Sequence, residues 1–273
     1  MSIFNVQKGQ NIECANPDSK SYSNYSSFMK RNLLGVDVSD ITREEVLEYI
    51  VKGLQQHSKK YYIVTPNPEI IVIAQRDNKY KDVLNRAKLA LPDGIGILLA
   101  AKFLGLNLKE RITGVGLLDS ICQAAAKQPI TVGFLGGGEG VAVKAAECLK
   151  KKYPSLKIAL ASSNLKFKIS NLKLPPDILF VAFGAPKQEF WISENLDKIP
   201  VKVAIGVGGA FDFISGNVRR APKFLRLIGL EWLFRLALEP WRIKRQLSLF
   251  TFVFLIIKEK FSAKGGSSSG RKI

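Results

Sequence analysis

The segment "PITVGFLGGGEGVAVKAAECLKKKYP", residues 129–154, changes its hydrophobic pattern at three consecutive glycines. Before the glycines stands a short apolar run, which predicts a buried strand. After them apolar residues recur at helical spacing as far as Pro154, which predicts a helix. A strand that ends in glycine and leads into a helix is typical of a parallel α/β sheet.

The same arrangement recurs along the chain. Four other apolar, strand-like runs are "KKYYIVT", "LKIALAS", "DILFVAFG" and "VKVAIGVGG", and helical patterns separate them. One helix start is marked by Thr42 and Glu45, which have the spacing of a capping box. Continuous apolar strands alternating with helices predict an α/β fold, in which a mostly parallel sheet is covered by helices.

Composition narrows the classes of protein. The chain has 273 residues, of which 47% are hydrophobic, enough for one large domain or one domain with an appendage. Its three cysteines fit no disulfide framework, which indicates a reducing compartment. His57 is the only histidine, which argues against a His-based triad or a His-rich metal site and favours a carboxylate for acid–base chemistry.

The net charge of +18 is concentrated towards the C-terminus. From Arg219 onward there are 13 Lys and Arg against 3 Glu. Such a charge favours an anionic partner: a phosphorylated substrate, an anionic membrane or nucleic acid, although no RNA-binding motif is visible. The first 30 residues are polar, without a secretory signal, and the longest apolar run of the tail, residues 247–257, is shorter than the roughly 20 residues of a spanning helix.

Three strands run directly into glycine-rich turns, and ligands of open α/β sheets bind at such strand ends. The turn Gly136, Gly137 and Gly138 precedes a helix, so it suits a phosphate; a tight strand–helix turn explains it equally well. No acidic residue ends the following strand, which argues against NAD, and no Gly-Lys-Ser/Thr follows, which argues against a P-loop.

Polar residues near these strand ends are candidates for a site. In "TPNPE", Thr65 and Asn67 are held by prolines and suit a sugar or nucleotide, unless Asn67 only caps its own backbone. In "LPDGIG", Asp93 is either a general base or part of an ordinary turn. Arg111 of "RITG" suits phosphate, or is a solvated arginine at a helix end.

Two further candidates lie downstream. Gln188 of "FGAPKQE" suits sugar hydroxyls, or is an exposed residue of a first helical turn. Asp212 of "GVGGAFDFISG" is a second candidate carboxylate, or a buried structural residue between two aromatic rings.

The tail has a pattern of its own. Glu231, Arg235 and Glu239 share one helix face, and Pro240 breaks or kinks the helix. Basic residues beside Trp241 and an apolar run are typical of an interfacial membrane segment; a core helix followed by a solvated basic patch is the alternative. The predicted division is a disordered tail (residues 1–30), a catalytic α/β domain (31–218), a helical, basic, membrane-associating appendage (219–260) and a flexible end (261–273).

Nine segments together resemble one family. In order they are "TPNPE", "LPDGIGI", "RITG", "GFLGGG", "FGAPKQE", "GVGGAFDFISG", "RAP", "GLEW" and "EPWR". This ordered set is similar to the WecG/TagA/CpsF glycosyltransferases, also called glycosyltransferase family 26, over residues 33–246.

The resemblance implies a Rossmann-like core with a C-terminal appendage. It implies transfer, with inversion, of a sugar from a UDP-sugar to a lipid-linked acceptor. The best-known reaction moves N-acetylmannosamine to undecaprenyl-diphosphate-linked N-acetylglucosamine for wall teichoic acid. Relatives transfer N-acetylmannosaminuronic acid or other hexoses in exopolysaccharide synthesis. Neither a metal nor a cofactor is implied.

The resemblance also assigns residues. It implies Asp93 as the catalytic base, Thr65 and Gln188 as active-site residues and Arg111 as a diphosphate contact. In the appendage it implies that Arg235, Arg242 and Arg245 close over the site. Asn67 and Gly136–Gly138 are added as nucleotide contacts because of their positions alone.

The expected protein is thus a peripheral enzyme on the cytoplasmic face of the membrane. Its expected partners are a UDP-sugar, a lipid-diphosphate-linked acceptor and the anionic membrane surface, without nucleic acid. A non-catalytic basic protein that binds nucleotide and membrane is the alternative from another class.

Overall fold

A computed structural model of the chain describes residues 28–56, 59–163, 174–227, 229–240 and 243–265. Most of the segment predicted as a disordered tail therefore lies outside the described residues. Phe28 is part of the folded domain, because its ring packs edge-on against Tyr49 with 5.0 Å between centroids.

The core is a six-stranded sheet in which every neighbouring pair is parallel. In spatial order its strands are β4 (Leu89–Ala90), β3 (Tyr61–Val64), β8 (Val203–Gly206), β7 (Ile178–Ala182), β5 (Thr131–Gly136) and β6 (Lys157–Ser162). Every residue of β5, β7 and β8 is buried, as expected for strands covered on both faces. The predicted α/β sheet is confirmed.

Eleven helices are present in the described part of the chain. They are α1 (Arg43–Gln56), α2 (Pro68–Arg76), α3 (Asn78–Arg86), α4 (Ile95–Leu104), α5 (Gly114–Ala125), α6 (Val141–Lys152), α7 (Lys187–Asn195), α8 (Ala210–Ile214), α9 (Lys223–Leu227), α10 (Glu231–Leu238) and α11 (Ile243–Gly265). The predicted capping box is confirmed: Thr42 Oγ1 accepts from the Glu45 N–H at 3.2 Å, and Glu45 Oε2 accepts from the Thr42 N–H at 2.8 Å. Two apolar clusters lie on opposite faces of the sheet, since neighbouring strand residues such as Phe134 and Leu135 belong to different clusters.

The strand order has one consequence for function. The first and last strands of the sheet, β3 and β8, are neighbours in its interior, which differs from the order of dinucleotide-binding domains. The likeness to a Rossmann fold therefore lies in the layers rather than in the strand order. Residues from both halves of the chain meet where β3 and β8 end.

A short antiparallel hairpin precedes the sheet. Its strands are β1 (Lys30–Leu33) and β2 (Val36–Ser39), joined by Leu34 and Gly35, both with positive φ. Ser39 Oγ accepts from the N–H of Ala90 in β4 at 3.0 Å, which ties the hairpin to the edge of the sheet.

The last helix, α11, packs against α2 and α4. Phe252 and Ile256 are buried in that contact, whereas Phe250 is 72% and Phe254 65% exposed. One face of the apolar run of residues 247–257 thus packs in the core, and another face is exposed to solvent. Within the described ranges, no helix combines the length and hydropathy needed to cross a bilayer.

Candidate functional site

Polar and glycine-rich segments meet at the carboxyl edge of the sheet. Thr65 follows β3, Asp93 lies in the loop after β4, and Gly208 and Gly209 follow β8. Because β4, β3 and β8 are consecutive in the sheet, these three segments lie side by side.

The loop that carries Asp93 is held from two sides. The Asp93 N–H donates to the Pro66 carbonyl at 2.9 Å, and the Ile112 N–H donates to the Pro92 carbonyl at 2.9 Å. The carboxylate Oδ2 accepts from the N–H of Gly114, the first residue of α5, at 3.2 Å. The residue is partly exposed while its carboxyl group is buried, so the carboxylate is fixed in direction and shielded from solvent.

The surroundings of Asp93 raise its pKa from 3.8 to about 6, chiefly through burial. The hydrogen bond from Gly114 opposes this shift, the charge of Glu231 adds to it, and the charges of Arg111 and Arg220 oppose it. A carboxylate with a pKa near 6 is ionised at neutral pH and still basic enough to accept a proton. Of the two interpretations of "LPDG", this environment favours the general base.

Thr65 and Asn67 are both engaged with the backbone. Thr65 is buried, and its hydroxyl donates to the carbonyl of Gly206 in β8 at 3.0 Å. Asn67 Oδ1 accepts from the Ile70 N–H at 3.0 Å and so caps α2, which is the capping alternative. The two side chains hold the end of β3 in place beside Asp93.

Gln188 is buried, so the alternative of an exposed helix residue is wrong. Its Nε2 donates to Glu189 Oε1 at 2.7 Å, and its Oε1 accepts from the Gly208 N–H at 3.0 Å. Glu189 is buried as well, and its Oε2 accepts from the hydroxyl of Tyr80 at 3.0 Å. Tyr80, Glu189 and Gln188 form a hydrogen-bond network that fixes the position of the turn after β8.

Glu189 and Tyr80 are not among the residues that the sequence patterns predict for the site. Burial raises the pKa of Glu189, while its bonds from Gln188 and Tyr80 favour the ionised form. The available signal was a carboxylate in the first turn of the helix, next to Gln188 in "FGAPKQE".

The glycines after β5 form a tight strand–helix turn. Gly136 and Gly137 have φ of 111° and 75°, and the Gly137 N–H donates to the Ala182 carbonyl at 2.8 Å. Two strands, β8 and β7, stand between β5 and β3, so the turn lies roughly 14 Å from β3 along the sheet edge. Gly136–Gly138 therefore do not adjoin Asp93, and only an extended ligand would reach both.

The segment after α8 returns over the Asp93 loop. Arg111 Nη1 donates to the carbonyl of Arg226 at 3.1 Å. Gly229 packs so closely on Ile95, just after Asp93, that a Cβ there would lie 2.2 Å from the Ile95 side chain. Arg111 is thus a contact between the sheet domain and the C-terminal segment, rather than a solvated arginine at a helix end.

Arg235 lies over the turn after β8. Its Nε donates to Glu239 Oε2 at 2.7 Å, and its guanidinium stacks 4.8 Å from the centre of the Phe213 ring. A Cβ on Gly209 would lie 3.4 Å from Arg235 Nη1 and 3.5 Å from Asp212 Oδ2, so both side chains border the same turn. Arg242 and the side chain of Arg245 fall outside the described residues.

No group of three or more His, Cys, Asp or Glu side chains in the described ranges is arranged to hold a metal ion. The charged groups around Asp93 are mostly arginines, which suit phosphate oxygens.

Known proteins similar to this chain are glycosyl transferases. The family model described as "Glycosyl transferase WecG/TagA/CpsF family" matches residues 31–266. Three relatives are each named N-acetylglucosaminyldiphosphoundecaprenol N-acetyl-beta-D-mannosaminyltransferase. The Bacillus spizizenii protein is 39% identical over 84% of this chain and 91% of its own length. The Bacillus subtilis protein is 34% identical (80% and 87%), and the Staphylococcus aureus protein 32% identical (88% and 96%).

A family model that covers most of the chain and relatives that align over nearly their full length lead to one conclusion: the chain belongs to the WecG/TagA/CpsF family of glycosyl transferases.

Proposed function

We propose that this glycosyl transferase moves N-acetylmannosamine from a UDP-sugar to N-acetylglucosamine linked through a diphosphate to a polyprenol, with inversion. The names of the three relatives specify this sugar and this acceptor, which supports both parts of the proposal. The observation that carries the proposal is Asp93, a buried carboxylate held by a hydrogen bond from Gly114, with a pKa raised to about 6. It lies beside arginines at the ligand-binding edge of the sheet.

Each group then has a part in the reaction. Asp93 takes the proton from the acceptor hydroxyl, and the oxygen attacks the anomeric carbon from the side opposite UDP. A single displacement of this kind inverts the centre and needs one base. As the C–O bond to UDP breaks, negative charge grows on the diphosphate, where Arg111 and Arg235 stabilise it.

Thr65 and Gln188 support the same site. The Thr65 hydroxyl donates to the Gly206 carbonyl, so its oxygen still has a free lone pair for a sugar hydroxyl. Gln188 binds the Gly208 N–H and so positions the turn beneath Arg235. Gly136–Gly138 would meet the far end of an extended donor, and Asn67, which caps α2 beside Asp93, would support the near end.

The acceptor explains a membrane-facing surface. Exposed apolar side chains on α4 and α11 lie together because the two helices are packed on each other: Leu99, Phe103, Leu247, Phe250, Phe254, Ile257 and Phe261. Lys260 lies over the ring of Phe103 at 5.7 Å, so a cation borders this surface. An interfacial position on the cytoplasmic face of the membrane would bring a lipid-linked acceptor to the mouth of the site.

The test is UDP release from a panel of UDP-sugars, with a soluble analogue of lipid-diphosphate N-acetylglucosamine. Wild type is expected to release UDP only when UDP-N-acetylmannosamine and the acceptor are both present. Asp93→Asn is expected to lose about 10²–10⁴-fold in rate, the usual contribution of a general base.

The other outcomes have definite meanings. Release with UDP-N-acetylmannosaminuronic acid or another UDP-hexose would keep the mechanism and change the donor. Full activity of Asp93→Asn would refute the assigned base and make Asp212 the next carboxylate to replace. No release with any donor by the folded protein would contradict the transferase and favour a binding protein.

A further inference from the structure

Two guanidinium groups act on Asp93, and a third acts on one of them. The charges of Arg111 and Arg220 act on the Asp93 carboxylate, and the charge of Arg226 acts on Arg220. The carboxylate of Glu231, the first residue of α10, faces both Asp93 and Arg220. Asp119 also acts on Arg220, but its carboxylate is paired with Lys152 at 2.7 Å.

Arg220 forms a long ion pair with Glu231. Its Nε lies 3.7 Å from Glu231 Oε1, which is an ion pair but too long for a hydrogen bond. That Nε is buried and has no hydrogen-bond partner in the described part of the chain, and the same holds for the Nε of Arg226, Arg31 and Arg43. Unlike Arg31 and Arg43, which pair with Asp40 and Glu110 elsewhere, Arg220 and Arg226 act on each other beside Asp93. An anion bound there would give both guanidinium groups a hydrogen-bond acceptor.

The position of Glu231 is unfavourable by itself. Its negative charge faces the carboxylate of Asp93 and raises the pKa of that group. A second carboxylate can lie near the proposed base here because the positive charges of Arg111, Arg220 and Arg226 exceed the negative charges of the two carboxylates. A diphosphate carries at least as much charge as Glu231 and offers arginine forks more acceptor oxygens than a carboxylate does.

We infer that Arg220 binds a substrate diphosphate, and that Glu231 is the internal anion that pairs with Arg220 until the diphosphate binds and displaces it. The identity of the ligand as a diphosphate rests on the proposed function. The donor and the acceptor both contain this group, so the chemistry is shared between two sources. No bond is made or broken in this exchange.

Equilibrium binding tests the exchange without requiring transfer. UDP is titrated by calorimetry into wild type, Glu231→Gln, Arg220→Gln and the double variant. Arg220→Gln should bind UDP about tenfold to a hundredfold more weakly, since a charge-assisted hydrogen bond is lost. Glu231→Gln should bind about twofold to fivefold more tightly, because the competing ion pair is gone. The gain from Glu231→Gln should vanish in the Arg220→Gln background.

The control variant is Glu48→Gln, which removes the same charge from a surface pair with Lys52 on α1. It should leave UDP affinity unchanged. Any tighter binding by Glu231→Gln would then come from the loss of its ion pair with Arg220 and not from the change in net charge. Arg220→Lys keeps the charge without the fork and should bind with intermediate affinity, and thermal melting verifies that each variant is folded.

Two further titrations identify the source of the diphosphate. One uses inorganic pyrophosphate, and the other uses a short-chain prenyl-diphosphate N-acetylglucosamine. If the two substitutions change the affinity for UDP alone, Arg220 binds the diphosphate of the donor. If they change the affinity for the prenyl compound alone, Arg220 binds that of the acceptor. The affinity for pyrophosphate should change in either case. The inference is overturned if Arg220→Gln leaves every affinity unchanged, or if Glu231→Gln weakens binding, which would make Glu231 a support of Arg220 rather than its competitor.

Failure of this inference and failure of the proposed function remain distinguishable. If wild type transfers sugar but the variants show no exchange pattern, only the inference fails. If the binding pattern is as expected but no sugar is transferred, the catalytic proposal fails and the anion site stands.

Discussion

Asp93 is a single charge in an apolar stretch, and its proposed role as a base accounts for that position. Burial raises the pKa of its carboxyl group, and one hydrogen bond from Gly114 fixes its direction. Such a group costs stability, and that cost is tolerated where a reaction needs a base.

The rate should therefore depend on pH through Asp93. The base must be ionised, so kcat/KM should rise as pH increases through about 6 and then level off. A pH profile of UDP release at acceptor concentrations well below KM measures this limb. The residual activity of Asp93→Asn should lack it, and a limb that persists in the variant would assign the titration to another group.

The same shift predicts an effect on folding. The pKa is raised from 3.8 in the unfolded chain to about 6 in the folded one, so the folded state binds the proton more tightly. Stability should fall as pH rises through that interval and stay lower above it. Asp93→Asn should thus melt at a higher temperature than wild type at pH above 6, with the difference disappearing below 3.8; equal melting at all pH values would contradict a buried, destabilised carboxylate.

Two tyrosines test whether Glu189 is charged. Tyr80 donates to the Glu189 carboxylate, whereas Tyr62 donates to the neutral carbonyl of Val83. Removing the bond to a charged acceptor should cost about 1.5–3 kcal/mol, and removing the neutral one about 0.5–1.5 kcal/mol. Urea unfolding of Tyr80→Phe and Tyr62→Phe compares the two, and equal losses would indicate a neutral Glu189.

Among the structural elements, the turn between β5 and α6 makes the strictest demand on its sequence. Gly136 has φ of 111°, and a Cβ there would lie 2.8 Å from the backbone of Ala182, which cannot move aside without distorting β7. Gly140, at the start of α6, also has positive φ of 71° but open space around it. A substitution at Gly140 therefore adds only the strain of the left-handed backbone, whereas one at Gly136 adds steric contact with β7 as well.

Alanine at these positions should differ in effect. Gly140→Ala should cost about 1–2 kcal/mol for the left-handed backbone alone. Gly136→Ala should cost about 2–5 kcal/mol, because overpacking against β7 adds to that strain. Urea unfolding measures both, and a Gly136→Ala variant no worse than Gly140→Ala would mean that the strand shifts at little cost.

The proposed membrane surface carries exposed apolar rings, and the chain as a whole has a net charge of +18. Helix α11 contributes to the core with Phe252 and to this surface with Phe250 and Phe254. Deleting the helix would expose the core, so surface substitutions separate membrane binding from folding.

Vesicles with anionic lipid should bind the protein in a salt-dependent manner. Raising the salt from about 0.1 M to about 1 M shortens the Debye length from about 10 Å to about 3 Å and should release most of the protein. Replacing Phe250 and Phe254 by serine should weaken binding at least about tenfold, since both rings lose their burial in the interface. Val143→Ser, a substitution of an exposed residue on α6, is the matched control; flotation assays that show no difference between the two would exclude α11 as the contact.

Much of the fold can be predicted from local patterns. The strands are continuous apolar runs because both faces of the sheet are covered, and glycine marks their ends because the following turns need positive φ, as at Gly136 and Gly137. The capping box at Thr42 and Glu45 is equally local. Asp93 is recognisable because a charge between apolar residues is unusual in any surroundings.

The tertiary structure alone decides what these residues contact. Gln188 has a buried carboxylate and a backbone N–H as partners because α7 packs beside β8, and no spacing in the sequence encodes that contact. Arg220 and Glu231 act on Asp93 across more than a hundred positions of chain, so only the folded path of the C-terminal segment brings them together. Periodicity identifies the apolar residues of α11, but which of them are buried depends on the surfaces of α2 and α4, since burial is a property of the assembled layers.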